Sequence, residues 1–184
     1  MATCINNTAV FNQTLRSLAP GDTLLVPHGK TFWFIGGIWA KKLSNITIQI
    51  DGDIKYIDDE KAWPRDSNGK VKECMYFEEI DGITFTSSNG PDAMGLIDGN
   101  GKRWWGAIQY LRKGENRPRL LHVRNSRNIV IEYIYFKNSP YWNVLLDELV
   151  KYYQRVNVEQ SKFVFYIVFI IITDQSTSLG SRTP

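Results

Sequence analysis

Any chemistry on this chain would have to come from a small set of side chains. Asp58-Asp59 is an adjacent acidic pair, the kind of grouping that acid–base catalysis draws on. It opens the polar stretch 58–72, which contains Pro64 and Gly69 and reads as a surface loop, so a solvated face accounts for the pair. Asp51, Asp81 and Asp98 each precede a glycine and fit turn-setting through side-chain-to-backbone hydrogen bonds. The two histidines are His28, in Pro27-His28-Gly29, and His122, inside Leu120-Leu121-His122-Val123. A histidine titrates where general acids and bases must. Neither has a partner motif in the sequence, so both read as structural. Arg117, Arg119 and Arg124 could bind carboxylates through two parallel hydrogen bonds. Trp104-Trp105 could present a flat platform for a sugar ring or seal a corner of the fold.

Bulk composition narrows the classes. With 184 residues, 43% hydrophobic and 22% charged, the chain can bury a sizeable core as one soluble domain. The formal net charge of +3 is scattered, so it does not argue for nucleic acid or an anionic membrane, and neither is expected as partner. Cys4 and Cys74 allow one disulfide or two reduced thiols, and they are too few and too far apart for zinc. No Walker loop, Rossmann fingerprint or calcium loop is present, so no cofactor and no metal is expected. Residues 1–20 show no apolar secretory core. Sequons stand at Asn6, Asn12 and Asn45.

The elements that must position these side chains are mostly strands. Residues 8–18 place Val10, Phe11, Thr14, Leu15 and Leu18 on one helical face, with Thr8 as N-cap, and Pro20-Gly21-Asp22 stops the helix. Short apolar runs follow at 23–26, 31–35, 46–50, 75–77, 83–85, 120–123 and 129–131. Three share a turn residue followed by apolar-x-apolar: Asn45-Ile46-Thr47-Ile48, Gly82-Ile83-Thr84-Phe85 and Asn128-Ile129-Val130-Ile131. Their irregular spacing excludes a strict repeat and suits a parallel β-helix, whose loops vary without disturbing the stacked strands. The predicted inward ladder is Ile46, Ile48, Ile83, Phe85, Ile129 and Ile131, with the helix covering the N-terminal end. Residues 104–116 fit a short helix or an irregular excursion.

Gly95-Leu96-Ile97-Asp98-Gly99-Asn100-Gly101-Lys102-Arg103-Trp104-Trp105, then Arg117-Pro118-Arg119, then Asn138-Ser139-Pro140-Tyr141-Trp142, together resemble the polygalacturonase family, the family 28 glycoside hydrolases. The likeness runs from about Gly21 to Asp147. It implies an all-β, right-handed, single-stranded parallel β-helix of the pectin lyase-like kind, of which residues 1–147 form the N-terminal coils with a short capping helix. Residues 148–184 form an atypical tail, foreign to the fold or disordered. Within the tail, residues 148–160 could form a helix. Phe163 to Ile172 is an apolar run, too short to span a bilayer as a helix.

The resemblance implies inverting hydrolysis of galacturonan, in which one carboxylic acid protonates the leaving oxygen and another carboxylate activates water. The family's Asn-Thr-Asp-Gly, Asp-Asp, Gly-His-Gly and Arg-Ile-Lys motifs are expected beyond residue 143, and none is recognisable. Ile172-Thr173-Asp174-Gln175 echoes the first only faintly. The expectation is a fragment of a polygalacturonase-like hydrolase without its catalytic segment and inactive as it stands, with no catalytic residue assigned. Arg117, Arg119 and Trp105 are the candidates for substrate binding. The alternatives are a non-catalytic β-helix that binds polysaccharide and a β-helix of the lyase or tailspike kind. By resemblance the partner is pectin or galacturonan, the chain is a monomer, and the location is extracellular.

Overall fold

The computed structural model describes residues 1–105, 116–149 and, as backbone only, 152–158 and 169–171. Helix α1 spans Ala2–Ser17 and buries Cys4, Thr8, Phe11 and Leu15, a spacing that keeps one stripe toward the core. It begins earlier than the 8–18 helix expected, and the buried face is rotated: Val10 is 52% exposed. Thr8 is therefore not an N-cap. Its hydroxyl accepts a hydrogen bond from the Ile35 N–H at 3.3 Å. The stripe is chosen by what it meets, because α1 packs on the first coil through β2 and β3, where Phe11 meets Phe34 edge-to-face at 5.4 Å.

The strands wind into coils with three faces. The first face stacks β1 (Thr23–Val26), β4 (Ser44–Ile50), β7 (Asp81–Thr86) and the first half of β10 (Arg127–Lys137). The second stacks β2 (Thr31–Phe34), β5 (Asp53–Tyr56), β8 (Gly95–Asp98) and the second half of β10. The third stacks β3 (Ile38–Lys41), β6 (Met75–Glu78), β9 (Leu121–Arg124) and β11 (Val144–Leu149). All these pairings are parallel. The architecture is the expected right-handed parallel β-helix. Strands β3, β5, β8 and β11 were not legible as apolar runs.

The predicted ladder forms. Ile46 pairs in register with Ile83, which pairs with Ile129, and Ile48 follows Phe85 and Ile131 in the same way. All six are at most 3% exposed. The turn residue before each rung is the device that aims it. Asn45, Gly82 and Asn128 have φ of 47°, 87° and 56°, the left-handed region that Gly and Asn tolerate best. A second column of left-handed residues, Lys42, Glu79, Asn125 and Glu148, closes the preceding strand in each coil. Close stacking also demands glycine at Gly95, where a Cβ would lie 2.0 Å from the Ile50 carbonyl oxygen.

Glu148 repeats this corner in the fourth coil. Where a helix was expected over 148–160, Tyr152–Val158 form β12, which pairs in parallel with β10 from Ile129↔Tyr152 to Phe136↔Val158. Aromatic and β-branched residues favour a strand wherever a neighbouring strand offers its edge. Phe169–Ile171 form β13 and pair in parallel with β11. The rest of the Phe163–Ile172 run, Asp174 and residues 106–115 lie outside the described residues. Among the described residues, no helix is long and apolar enough to cross a membrane.

Candidate functional site

The third face carries a connected cluster of charged and aromatic side chains. Along β3, β6, β9 and β11 the inward residues are Ile38, Met75, Leu121 and Val144, in register and at most 1% exposed. Alternation then turns their neighbours outward. One outward row runs Trp39, Tyr76, His122, Leu145, and the next runs Lys41, Glu78, Arg124, Asp147. The outer face borders a cleft of about 630 Å³, walled by α1 at Asn12 and Arg16 and by the 58–72 loop at Asp66, Lys70 and Lys72. That loop folds back on itself through an antiparallel bridge between Arg65 and Val71. Trp63 anchors it: the ring is buried and its N–H donates to the Lys72 carbonyl at 2.7 Å.

At the centre of the face, His122 sits between two carboxylates. Its Nε2 lies 3.1 Å from Asp147 Oδ1, and its Nδ1 lies 3.6 Å from Glu73 Oε1. The Tyr76 ring lies against the imidazole at 4.8 Å. Glu73 also receives the Arg119 guanidinium at 2.6 Å and the Arg119 backbone N–H. Burial alone would raise the Glu73 carboxyl. The His122 ring beside it and the charge and hydrogen-bond donors of Arg119 outweigh that, and hold it below its ordinary value of 4.5. Arg124 forks onto Glu148 through Nε at 3.2 Å and Nη2 at 3.0 Å, which keeps its guanidinium charged. A histidine flanked in this way can hold or relay a proton, and the cations on the facing wall of the cleft, Arg16, Lys70 and Lys72, can bind anionic ligands.

The residues singled out in the sequence are distributed as follows. Arg117 lies over the Tyr141 ring at 4.5 Å, and Arg119 over Trp142 at 4.9 Å. The Arg-Pro-Arg and Ser-Pro-Tyr-Trp segments thus meet in space through cation–π contacts. The Trp105 indole N–H donates to the Ser139 carbonyl at 2.8 Å. Trp104 is 1% exposed and packs edge-to-face on Trp63 at 5.3 Å. His28 is exposed in the turn between β1 and β2, apart from the third face. Asp58 pairs with Arg103 at 3.2 Å, and Asp59 accepts backbone N–H groups of Lys61 and Ala62. Asp98 accepts from the Asn100 N–H at 2.9 Å, the expected turn bond. Asp51 instead reaches the next coil, where it accepts from Ser87 and Ser88, and Asp81 holds Arg127 and Asn128. Cys4 and Cys74 are free thiols, and burial pushes Cys74 up. Among the described residues, no group of His, Cys, Asp and Glu is arranged to hold a metal ion.

Sequence reasoning passed over Glu73, His122 and Asp147 as a group, and over Trp39 and Tyr76. The only signal available was period-two alternation, because each except Glu73 is an outward neighbour of a core residue. Nothing in the chain order brings residues 73, 122 and 147 together.

A parallel β-helix with a charged, aromatic-lined cleft along one face is the class these features define. Residues 21–150 match the glycosyl hydrolases family 28 sequence profile, and the chain belongs to that family. A probable endo-xylogalacturonan hydrolase A from Aspergillus niger is 28% identical over 130 residues, covering 71% of this chain and 30% of that protein. A probable exopolygalacturonase B from Aspergillus terreus is 30% identical over 131 residues, covering 66% of this chain and 28% of that protein. The chain therefore spans less than a third of these curated relatives. In three dimensions, the crystal structure of endo-xylogalacturonan hydrolase from Aspergillus tubingensis aligns with a TM-score of 0.65 at 23% identity, covering 80% of this chain and 38% of that one. That likeness carries the fold.

Proposed function

We propose that this chain is the N-terminal part of a polygalacturonase-like hydrolase that acts on galacturonan outside the cell. The observation that carries the reading is the cleft along the outer face of β3, β6 and β9, lined by Trp39, Tyr76, His122 and Arg124, on a family 28 framework. An extended polymer lying along such a face would meet one coil after another at the strand spacing of about 4.8 Å. Aromatic side chains suit the apolar faces of sugar rings, and cations suit uronate carboxylates.

In this reading, hydrolysis proceeds with inversion and uses two carboxyl groups supplied from outside residues 1–147. Arg119 serves the face by fixing Glu73 at the cleft wall. Arg117 and Trp105 hold the 139–141 segment that leads into β11. The family match ends at residue 150, while β12 and β13 continue the parallel pairing of the coils. The names of the relatives, which include hydrolases of xylogalacturonan and polygalacturonate, support the substrate class.

The test is a reducing-end assay on polygalacturonic acid, run on the 184-residue chain and on a version extended through further family 28 coils. The extended form should release reducing ends and the 184-residue chain should not. Turnover by the purified 184-residue chain, abolished by Asp174→Asn, would overturn the placement of the catalytic groups. A second reading, a β-helix that binds polysaccharide without cleaving it, is favoured by the same cleft. Binding by both forms with hydrolysis by neither would establish it.

A further inference from the structure

The cleft is not electrically uniform, and the difference lies at its N-terminal end. The arginines on the sheet side are neutralised: Arg124 by Glu148 and Asp147, and Arg119 by Glu73. The cations on the opposite wall are not. Arg16, Lys70 and Lys72 all border the cleft and are exposed. Among the described residues, no carboxylate lies within ion-pair distance of any of them. The nearest acid in the same wall, Asp66, is turned into its own loop, where it accepts the backbone N–H groups of Asn68 and Lys70 at 2.9 Å each. The lining residues thus include four cations, Arg16, Lys70, Lys72 and Arg124, against two anions, Asp66 and Glu73.

The same end holds an exposed aromatic ring on a fixed backbone. Trp39 is 44% exposed, although it lies in the middle of β3. The Asn12 side chain bolts that strand to α1: its Oδ1 accepts the Trp39 N–H at 2.9 Å, and its Nδ2 donates to the Gly37 carbonyl at 3.0 Å. One turn further on, the Arg16 Nε donates to the Asn12 carbonyl at 3.1 Å. Helix and ring are therefore positioned together before any ligand arrives, which lowers the ordering cost of binding.

We propose that Arg16, Lys70, Lys72 and Trp39 form a distal subsite for a polyuronate chain. Trp39 packs on a sugar ring, and the three cations take the carboxylates of that ring and its neighbour. This inference rests on the reading that polysaccharide lies along the third face. It adds that the capping helix and the 58–72 loop, and not the sheet alone, select an acidic chain over a neutral one.

The experiment is calorimetric titration of the 184-residue chain with oligogalacturonate and with the fully methyl-esterified oligomer, at low and high salt. The acid should bind more tightly than the ester, and salt should erase the difference. The triple variant Arg16→Ala/Lys70→Ala/Lys72→Ala should lose about tenfold in affinity for the acid and little for the ester. Trp39→Ala should weaken both. Because all four side chains are exposed, unchanged thermal unfolding confirms that the variants fold. Equal affinity for acid and ester, no binding of either by the parent chain, or a triple variant that binds as the parent does would overturn the subsite. Hydrolysis by the extended chain that is indifferent to these substitutions would leave the polygalacturonase reading standing and remove only the subsite.

Discussion

On the inside of β3, β6, β9 and β11, Ile38, Met75, Leu121 and Val144 stack rung on rung with no exposure above 1%. On the outside of the same rungs stand Trp39, Tyr76, His122 and Leu145, and beside them Lys41, Glu78, Arg124 and Asp147. The two faces share backbone, register and spacing, but different forces act on them. Inside, every rung must exclude water and fill volume, so any apolar side chain of suitable size serves. Outside, packing demands are looser and uneven: Trp39 is 44% exposed, while Leu145 is 6% exposed. There the column mixes charge, aromatic surface and an imidazole held between carboxylates. The inner face holds the coils together, and the outer face is where composition can be given over to a ligand.

Substitutions should separate the two faces by size of effect. The largest loss is expected inside. Ile83→Ala, which leaves a cavity between Ile46 and Ile129, should cost about 2–5 kcal/mol in denaturant-induced unfolding of the 184-residue chain. A loss below 1 kcal/mol would mean that the ladder is not the structural spine. Next comes the edge between the faces. Arg119→Ala strips Glu73 of its guanidinium partner while leaving it mostly covered, and should cost about 1–3 kcal/mol.

The Glu73 carboxyl sharpens the comparison through pH. Its value is lowered in the folded chain, so its contribution is present above the ordinary 4.5 and is lost as pH falls through the folded value. The stability advantage of the parent over Glu73→Gln should be full at neutral pH and shrink as pH drops below 4.5. Unfolding curves at several pH values check this, and an advantage that is flat or grows on acidification would contradict it. A smaller effect belongs to the corners. Asn128→Ala, at φ 56°, should cost about 1 kcal/mol, while Asn128→Gly, which keeps the backbone unstrained but also loses the bond to Asp81, should cost less than the alanine variant. The smallest is Trp39→Ala on the outer face. It should change stability by no more than about 0.5 kcal/mol while weakening polyuronate binding. A large drop in melting temperature would instead make Trp39 part of the core.

The inner ladder was readable because its rule is local. A turn residue with a left-handed backbone, then apolar-x-apolar, is a statement about neighbours in sequence, and Asn45, Gly82 and Asn128 obey it. The Trp104 corner was readable for the same reason. The rotation of α1 was not, because Thr8 and Val10 suit either side of a helix until β2 and β3 decide which side is dry. Nor was β12, whose residues take strand form by pairing with the edge of β10.

The sequence by itself determined the family, the parallel β-helix and the six residues of its ladder, because each follows from short-range pattern or from motifs read in order. Only the tertiary structure decided the site. Glu73, His122 and Asp147 are separated by 49 and 25 positions and become neighbours only because each coil returns the chain to the same face one strand spacing higher. The lengths of the intervening loops set which residue arrives there. Loop length is the quantity that this fold leaves free, so the composition of the outer face could not be read until the coils were stacked.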